Sequence, residues 1–401
     1  MNLLPKFKWE DKEKDKYREK LNKNLSLQST EGRFFTLKEL VNTIKLSLPK
    51  QNGSKSKLIC KNRWFNYKCS KARQISFDLL NVFRKSNSQQ DKEKYLTAKR
   101  VYAMECRNQK DKYYFELNNK INSTNNAKKW WELAKEIRGD SFKVGAALPA
   151  DDFKRYFQNL LNQPLISNEI QYARMCRCDD DLDRIISVDE VKQVLQFFKS
   201  NKAPGADRVP YEMFKNATIE FLNELSKTFN NILETGIIDE EFLESIIFPI
   251  HKKGDLNDPN NYRGISFMNC SAKVLMGVIH ARLTNWIEKH NILNEFQAGF
   301  RPQYSTVDNI YNLAAIVHLK FLEKKKIYAF FVDFKAAFDR VSRCSLIYKL
   351  PTLGISTKIL NFIQNIYSNT KSAVWTGSEL SDYFETYTGV KQGCLLSPLL
   401  F

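Results

Sequence analysis

The spacing of apolar residues changes once along this 401-residue chain, and that change limits the folds open to it. In the first part apolar residues recur every three or four positions. Ala72, Ile75, Leu79, Val82 and Phe83 show it early, and Leu222, Leu225, Phe229 and Ile232 show it later. This is the period of a helix with one buried face. From Ser245 the pattern shortens. Ser245–His251 and Tyr262–Phe267 read as two strands joined by a polar turn containing Gly254, Asp255 and Pro259. A helix is expected over 271–290, with Leu275, Ile279, Leu283 and Ile287 on one stripe. Ile327–Val332 predicts a buried strand ending on Asp333, and 372–375 and 383–387 read as further strands. Helices first and mixed elements afterwards predict a helical module followed by an α+β domain.

One helix start is explicit. Ser187 with Glu190 three residues on is a capping box, in which hydroxyl and carboxylate satisfy each other's backbone N–H groups. It predicts a helix with Val191, Leu195 and Phe198 on one face, running on until Pro204 and Gly205 stop it.

Charge separates the same two regions. The formal net charge is +18. Residues 1–150 hold 34 Lys and Arg against 16 Asp and Glu, whereas 151–401 hold 29 of each. The excess therefore lies in the helical part, and it predicts a polyanionic partner, because each cation that neutralises a phosphate releases a condensed counterion. Aromatic residues punctuate this part, among them Trp9, Trp64, Phe65, Tyr113, Tyr114, Trp130 and Trp131, at positions that suit a small helical core. The eight cysteines show no C-x-x-C pair, and Cys176 with Cys178 reads as two incidental thiols. The first 20 residues are charged throughout, which is unlike a signal peptide, and no apolar run is long enough for a bilayer. An intracellular protein, nuclear or cytoplasmic, is expected, with no membrane partner.

A carboxylate directly after a buried strand sits at a rigid point, where a divalent ion can be held with little reorganisation. Asp333 has that position, although an Asp at a strand end also serves as an ordinary turn residue. Its surroundings carry a resemblance. Phe331-Val-Asp-Phe-Lys-Ala-Ala-Phe-Asp339 resembles the first palm motif of reverse transcriptases from non-LTR retrotransposons, of the LINE and jockey type. Gly389–Phe401 is similar to the motif that follows it, and Lys202–Asp207, Asn261–Ser266 and Asn294–Arg301 are similar to three blocks that precede it. The five blocks stand in the family's order. Upstream, Lys6–Trp9, Trp64 with Cys69, and Trp130-Trp131 resemble more weakly the helical connector of these elements.

The resemblance implies an RNA-directed DNA polymerase that copies an RNA template from a DNA primer 3′ end, using deoxynucleoside triphosphates and Mg²⁺ in two-metal nucleotidyl transfer. It implies right-hand fingers and an incomplete palm behind a basic helical region. The expected organisation is a connector over 1–140, a linker and helical segment over 141–185, a fingers-like part over 186–304 and a truncated palm over 305–401. Asp333 would be catalytic and hold metal, helped by the Phe334 carbonyl. Phe338 would lie under the deoxyribose and exclude a 2′ hydroxyl. Arg263 and Lys253 would take the triphosphate, although Lys252 could replace Lys253. Gln392 and Gly393 would touch nucleotide and template, and Arg301 would contact template, support the fingers or form a structural salt bridge. Asp339, six residues after Asp333, is expected to open a helix and point away from it. Gly264 and Arg208 depart from the family's usual Pro and Gly. The chain is expected to stop before the family's Asp-Asp motif and to be inactive alone. Two other readings are a non-catalytic nucleic-acid-binding remnant and, less in keeping with the connector, a group II intron-like maturase.

Overall fold

The computed structural model describes residues 13–28, 33–48, 62, 64–124, 130, 148–163 and 177–401. The Lys6–Trp9 block, Trp131, Cys176 and the linker residues 141–147 lie outside the described residues. The chain divides into two compact units, one made of 1–49 with 144–401 and the other of 50–143.

In the larger unit α1 (Lys14–Gln28) and α2 (Leu37–Ser47) open the chain. Thr36 and Glu39 form a second capping box at the start of α2. The smaller unit is a hairpin of α3 (Tyr67–Ser86) and α4 (Gln89–Asn122). Asn66 caps α3 by accepting from the Lys68 and Cys69 N–H groups, and Asn87 ends it in the left-handed conformation at φ 49°. Ala72, Ile75 and Leu79 of α3 face Ala98 and Val101 of α4 across an open groove of about 870 Å³.

The larger unit continues with α5 (Ala150–Leu160), α6 (Val188–Phe197) and α7 (Ile219–Thr235), then β1 (Ser245–His251) and β2 (Tyr262–Phe267). After them come α8 (Cys270–Lys289), α9 (Thr306–Leu322), α10 (Arg343–Thr352) and α11 (Thr357–Ser368), then β3 (Lys371–Val374) and β4 (Phe384–Glu385) and a short helical turn over Ser397–Leu400. Phe221, Leu225 and Phe229 of α7 are buried in one cluster with Tyr17 and Leu21 of α1, Leu40 and Ile44 of α2, and Leu275 and Ile279 of α8. Each such side chain contributes about 1.5–3 kcal/mol on burial. The Tyr17 hydroxyl, also buried, donates to the Met213 carbonyl at 3.0 Å. The first two helices, read from the sequence as connector, thus pack into the core of the larger unit.

The sheet has the order β2-β1-β3-β4, with β1 antiparallel to β2 and parallel to β3. α5 covers it, with Phe153 and Phe157 packed on Ile247, Tyr262, Val374 and Phe384. Gly264 lies under this helix, where a Cβ would stand 2.7 Å from the Phe157 ring. The glycine that departs from the family block is therefore matched by the aromatic that fills its space. Arg208, the other departure, holds φ 59°, a left-handed turn that a glycine adopts more easily.

Two expectations are corrected here. Ile327–Val332 forms no strand: its backbone is irregular and its side chains are exposed, with Tyr328 at 88% and Phe330 at 91%. A strand needs a partner, and no described segment pairs with this one. The adjacent α9 likewise buries no residue. The helix after Ser187 ends at Phe197, well before Pro204, because Phe198 turns inward to stack on Tyr211 with ring centroids 4.2 Å apart.

The Asp207 block carries a titration of its own. Its Oδ1 accepts from the Val209 N–H at 3.1 Å, Oδ2 has no partner, and burial pushes the carboxyl up to about 6. A folded-state pKa raised above the unfolded value near 3.9 means that the native state binds the extra proton, so stability falls as pH rises from about 4 to about 6. The loss amounts to roughly 3 kcal/mol. Asp207→Asn mimics the protonated acid. It is expected to match the parent in urea unfolding near pH 4 and to exceed it by about 2–3 kcal/mol at pH 7.5; equal stability at pH 7.5 would show that the carboxylate is not strained.

Candidate active site

Three chain segments meet at one end of the sheet. The first is β2 with the turn before it. That turn is held by the Lys252 N–H donating to Asn261 O, Asn261 Nδ2 donating to Asp255 O, and the Tyr262 hydroxyl donating to Leu256 O. It presents Lys252, Lys253 and Arg263 as exposed cations.

The second is the turn after Asp333. Ala336 takes φ 54° and its carbonyl accepts from the Asp339 and Arg340 N–H groups, giving a single 3₁₀ turn over Phe338–Arg340. The Phe338 ring stacks on Phe401 with centroids 5.0 Å apart and meets Phe300 edge-on at 5.9 Å.

The third is the loop 386–394, which is locked onto the second. The Gly389 N–H donates to Val341 O and the Val390 N–H to Phe338 O, each at 2.8 Å. Gly389 has φ 80°, and a Cβ there would stand 2.7 Å from the Asp339 carbonyl oxygen, so only glycine permits this approach. Gln392 Nε2 lies 2.8 Å from both carboxylate oxygens of Asp339. The same residue's carbonyl accepts from the Ser266 N–H of β2 at 2.7 Å, and a Cβ on Gly393 would stand 2.8 Å from the Ser266 carbonyl oxygen.

Beneath this loop Arg343 is 8% exposed and donates to six oxygens: the carbonyls of Tyr367, Thr386, Thr388 and Gly389 and the hydroxyls of Thr370 and Thr386. Burial pushes its guanidinium down to about 10, so it stays charged at neutral pH. Lys391 donates to Leu243 O at 2.6 Å, and burial lowers its ammonium to about 8.

Burial raises the Asp339 carboxyl, while the Gln392 hydrogen bond and the charges of Lys252 and Arg263 oppose that rise. The charges of Lys252 and Arg263 thus act on the carboxylate that Gln392 binds. The structure brings Phe338, Gln392, Gly393 and Arg263 together around Asp339. It leaves Asp333 and Phe334 on the exposed irregular segment and Lys253 exposed in the turn. Arg301 makes two 2.9 Å bonds to Glu288, donates to Asn294 O and lies over the Tyr304 ring, which is the structural salt bridge among its readings. Sequence reasoning set Asp339 aside as a helix start and passed over Gly389 and Arg343. The signal for Asp339 was its place next to Phe338 in the quoted block; for Arg343, a basic residue at the start of a helix, there was none.

Among the described residues no group of three His, Cys, Asp or Glu could hold a metal ion. The single carboxylate Asp333 does not make up a Mg²⁺ site, and the Asp339 carboxylate is engaged by Gln392. None of the described helices is long and apolar enough to cross a membrane.

Comparison with known proteins adds a family match and several relatives. Residues 250–401 match the family described as reverse transcriptase (RNA-dependent DNA polymerase). The chain's relatives are named for transposons and retrotransposable elements. The chain is 28% identical over 217 residues to the probable RNA-directed DNA polymerase from transposon BS of Drosophila melanogaster, covering 54% of this chain and 24% of that one. It is 30% identical over 219 residues to the RNA-directed DNA polymerase from mobile element jockey of Drosophila funebris, with coverage of 54% and 24%. Against the Pol polyprotein from the type-1 retrotransposable element R2 of Nasonia vitripennis it is 29% identical over 221 residues, with coverage of 55% and 21%. The chain spans about a quarter of the length of these curated relatives.

Proposed function

We propose that this chain is part of a polymerase that copies RNA into DNA from a primer 3′ end during retrotransposition, with 186–304 acting as fingers and 305–401 as part of the palm. The observation that carries the reading is the lock between the 338–341 turn, the 389–393 loop and β2. It holds the Gln392 amide on Asp339, the residue after Phe338, and the charges of Lys252 and Arg263 act on the same carboxylate; an aromatic ring, an amide and cations are groups suited to sugar, base and phosphate. In this reading Mg²⁺ is the ion and Asp333 its carboxylate. The residues described supply only that one, so the 401-residue chain alone is proposed to be inactive.

Filter binding paired with primer extension on an RNA template tests the reading. The chain is expected to bind RNA and primer–template with a steep salt dependence and to extend nothing. Extension by the chain alone, lost on Asp333→Ala, would overturn the inactivity. Phe338 is tested in a chimaera that adds a relative's Asp-Asp hairpin after Phe401. Phe338→Ala is expected to raise ribonucleotide incorporation by about tenfold or more, since a lost steric contact of ~1.4 kcal/mol gives that factor. Unchanged discrimination would make Phe338 a core residue only.

A further inference from the structure

We infer that Asp339 is a positioning residue that fixes the side-chain amide of Gln392 as a hydrogen-bond acceptor toward a bound deoxynucleoside triphosphate. The inference rests on the nucleotide-binding reading above for the ligand, and on geometry alone for the pair. Gln392 Nε2 donates to both Asp339 oxygens, each at 2.8 Å, so Oε1 is turned away from Asp339. Among the described residues Oε1 accepts no hydrogen bond.

The backbone allows the pair no other register. At Gln392 the carbonyl is held by the Ser266 N–H, two residues earlier Val390 is held by Phe338 O, and Gly393 packs against β2 where a Cβ has no room. Asp339 is fixed from its own side by its N–H to Ala336 O and by Gly389 pressed on its carbonyl. Two short rigid turns thus meet through one carboxylate and one amide. Lys252 and Arg263 are exposed and their charges act on the carboxylate, so the pair lies near cations suited to a triphosphate. The chemistry left open at Oε1 is that of an acceptor, which a hydroxyl or amino group of the nucleotide satisfies. Asp339 touches no substrate in this arrangement and acts only through Gln392.

A double-mutant cycle on nucleotide binding tests this with the 401-residue chain. The probe is fluorescently labelled dTTP with Mg²⁺, and the variants are Asp339→Asn, Gln392→Met and the double substitution. Each single change is expected to weaken binding about tenfold, and the double change no more than either, because coupled residues are not additive. A loss near one hundredfold in the double variant, or parent-like binding by Asp339→Asn, would overturn the inference. A second readout does not depend on the nucleotide: hydrogen exchange of the Gln392 side-chain amide, identified by its loss in Gln392→Met. Asp339→Asn is expected to speed that exchange by about tenfold, since one charge-assisted bond is replaced by a weaker one. If the parent binds no dTTP, the nucleotide reading fails, and the exchange rate still decides the pair. Unchanged exchange would show that Asp339 does not hold the amide.

Discussion

Replacing Arg343 by methionine is expected to destabilise the larger unit by about 3–5 kcal/mol. The side chain donates to six oxygens, and three of them, the carbonyls of Tyr367, Thr388 and Gly389, have no other donor among the described residues. A buried carbonyl left without a donor costs about 1–3 kcal/mol. Against this, methionine removes the desolvation of a guanidinium that has no carboxylate partner among the described residues, which brings the sum back to the range given. Lysine keeps the charge but can reach at most three of the acceptors. Arg343→Lys is expected to fall between parent and methionine. The measurement is the urea midpoint of each variant at pH 7.5, with the denaturant slope checked for constancy. A loss below about 1 kcal/mol for Arg343→Met would mean that the loop 386–389 finds other donors.

The second large effect concerns salt. Residues 50–143 hold 23 Lys and Arg against 9 Asp and Glu, a net charge of +14 out of the chain's +18. The excess first assigned to the helical half thus falls mainly within the smaller unit, because α1 and α2 belong to the core of the larger one. Removing 1–140 would strip that core of Tyr17, Leu21, Leu40 and Ile44. Removing 50–143 and joining 49 to 144 with a Gly-Ser linker is the cleaner deletion. If six to ten phosphates are neutralised by the unit, the parent's affinity for RNA is expected to fall by roughly 10³–10⁵ between about 50 and 200 mM salt, a dependence that the deletion largely loses. The slope of log affinity against log salt is expected to flatten. Equal affinity and slope in the deletion would place the phosphate contacts in the larger unit.

How far the sequence disclosed this arrangement depends on the range of the interactions involved. The strands over 245–251 and 262–267 were legible because both their apolar runs and the polar turn between them are local, and the structure has the same bounds. The Ser187–Glu190 capping box was legible for the same reason. The run Ile327–Val332 misled, since an apolar stretch predicts burial only if something pairs with it. Phe198 was placed in a helix because its periodicity fits one, yet a distant ring, Tyr211, decided its conformation. At the site the quoted blocks contain Phe338, Gln392 and Gly393, which the structure sets beside Asp339, and Asp333, which it leaves exposed, as it does Lys253. The roles of Asp339 and Arg343 were not legible, because their partners lie 53 residues away in the first case and 24–46 away in the second. A carboxylate committed to Gln392 and a cation committed to carbonyls leave no local pattern.

The most direct test of the account is primer extension by the chimaera that carries an Asp-Asp hairpin after Phe401, on matched RNA and DNA templates. The account predicts extension with deoxynucleotides on RNA, abolished by Asp333→Ala and reduced at least tenfold by Asp339→Asn. A folded chimaera that binds the primer–template with a steep salt dependence yet adds no nucleotide would contradict it, and would make the chain a nucleic-acid-binding remnant.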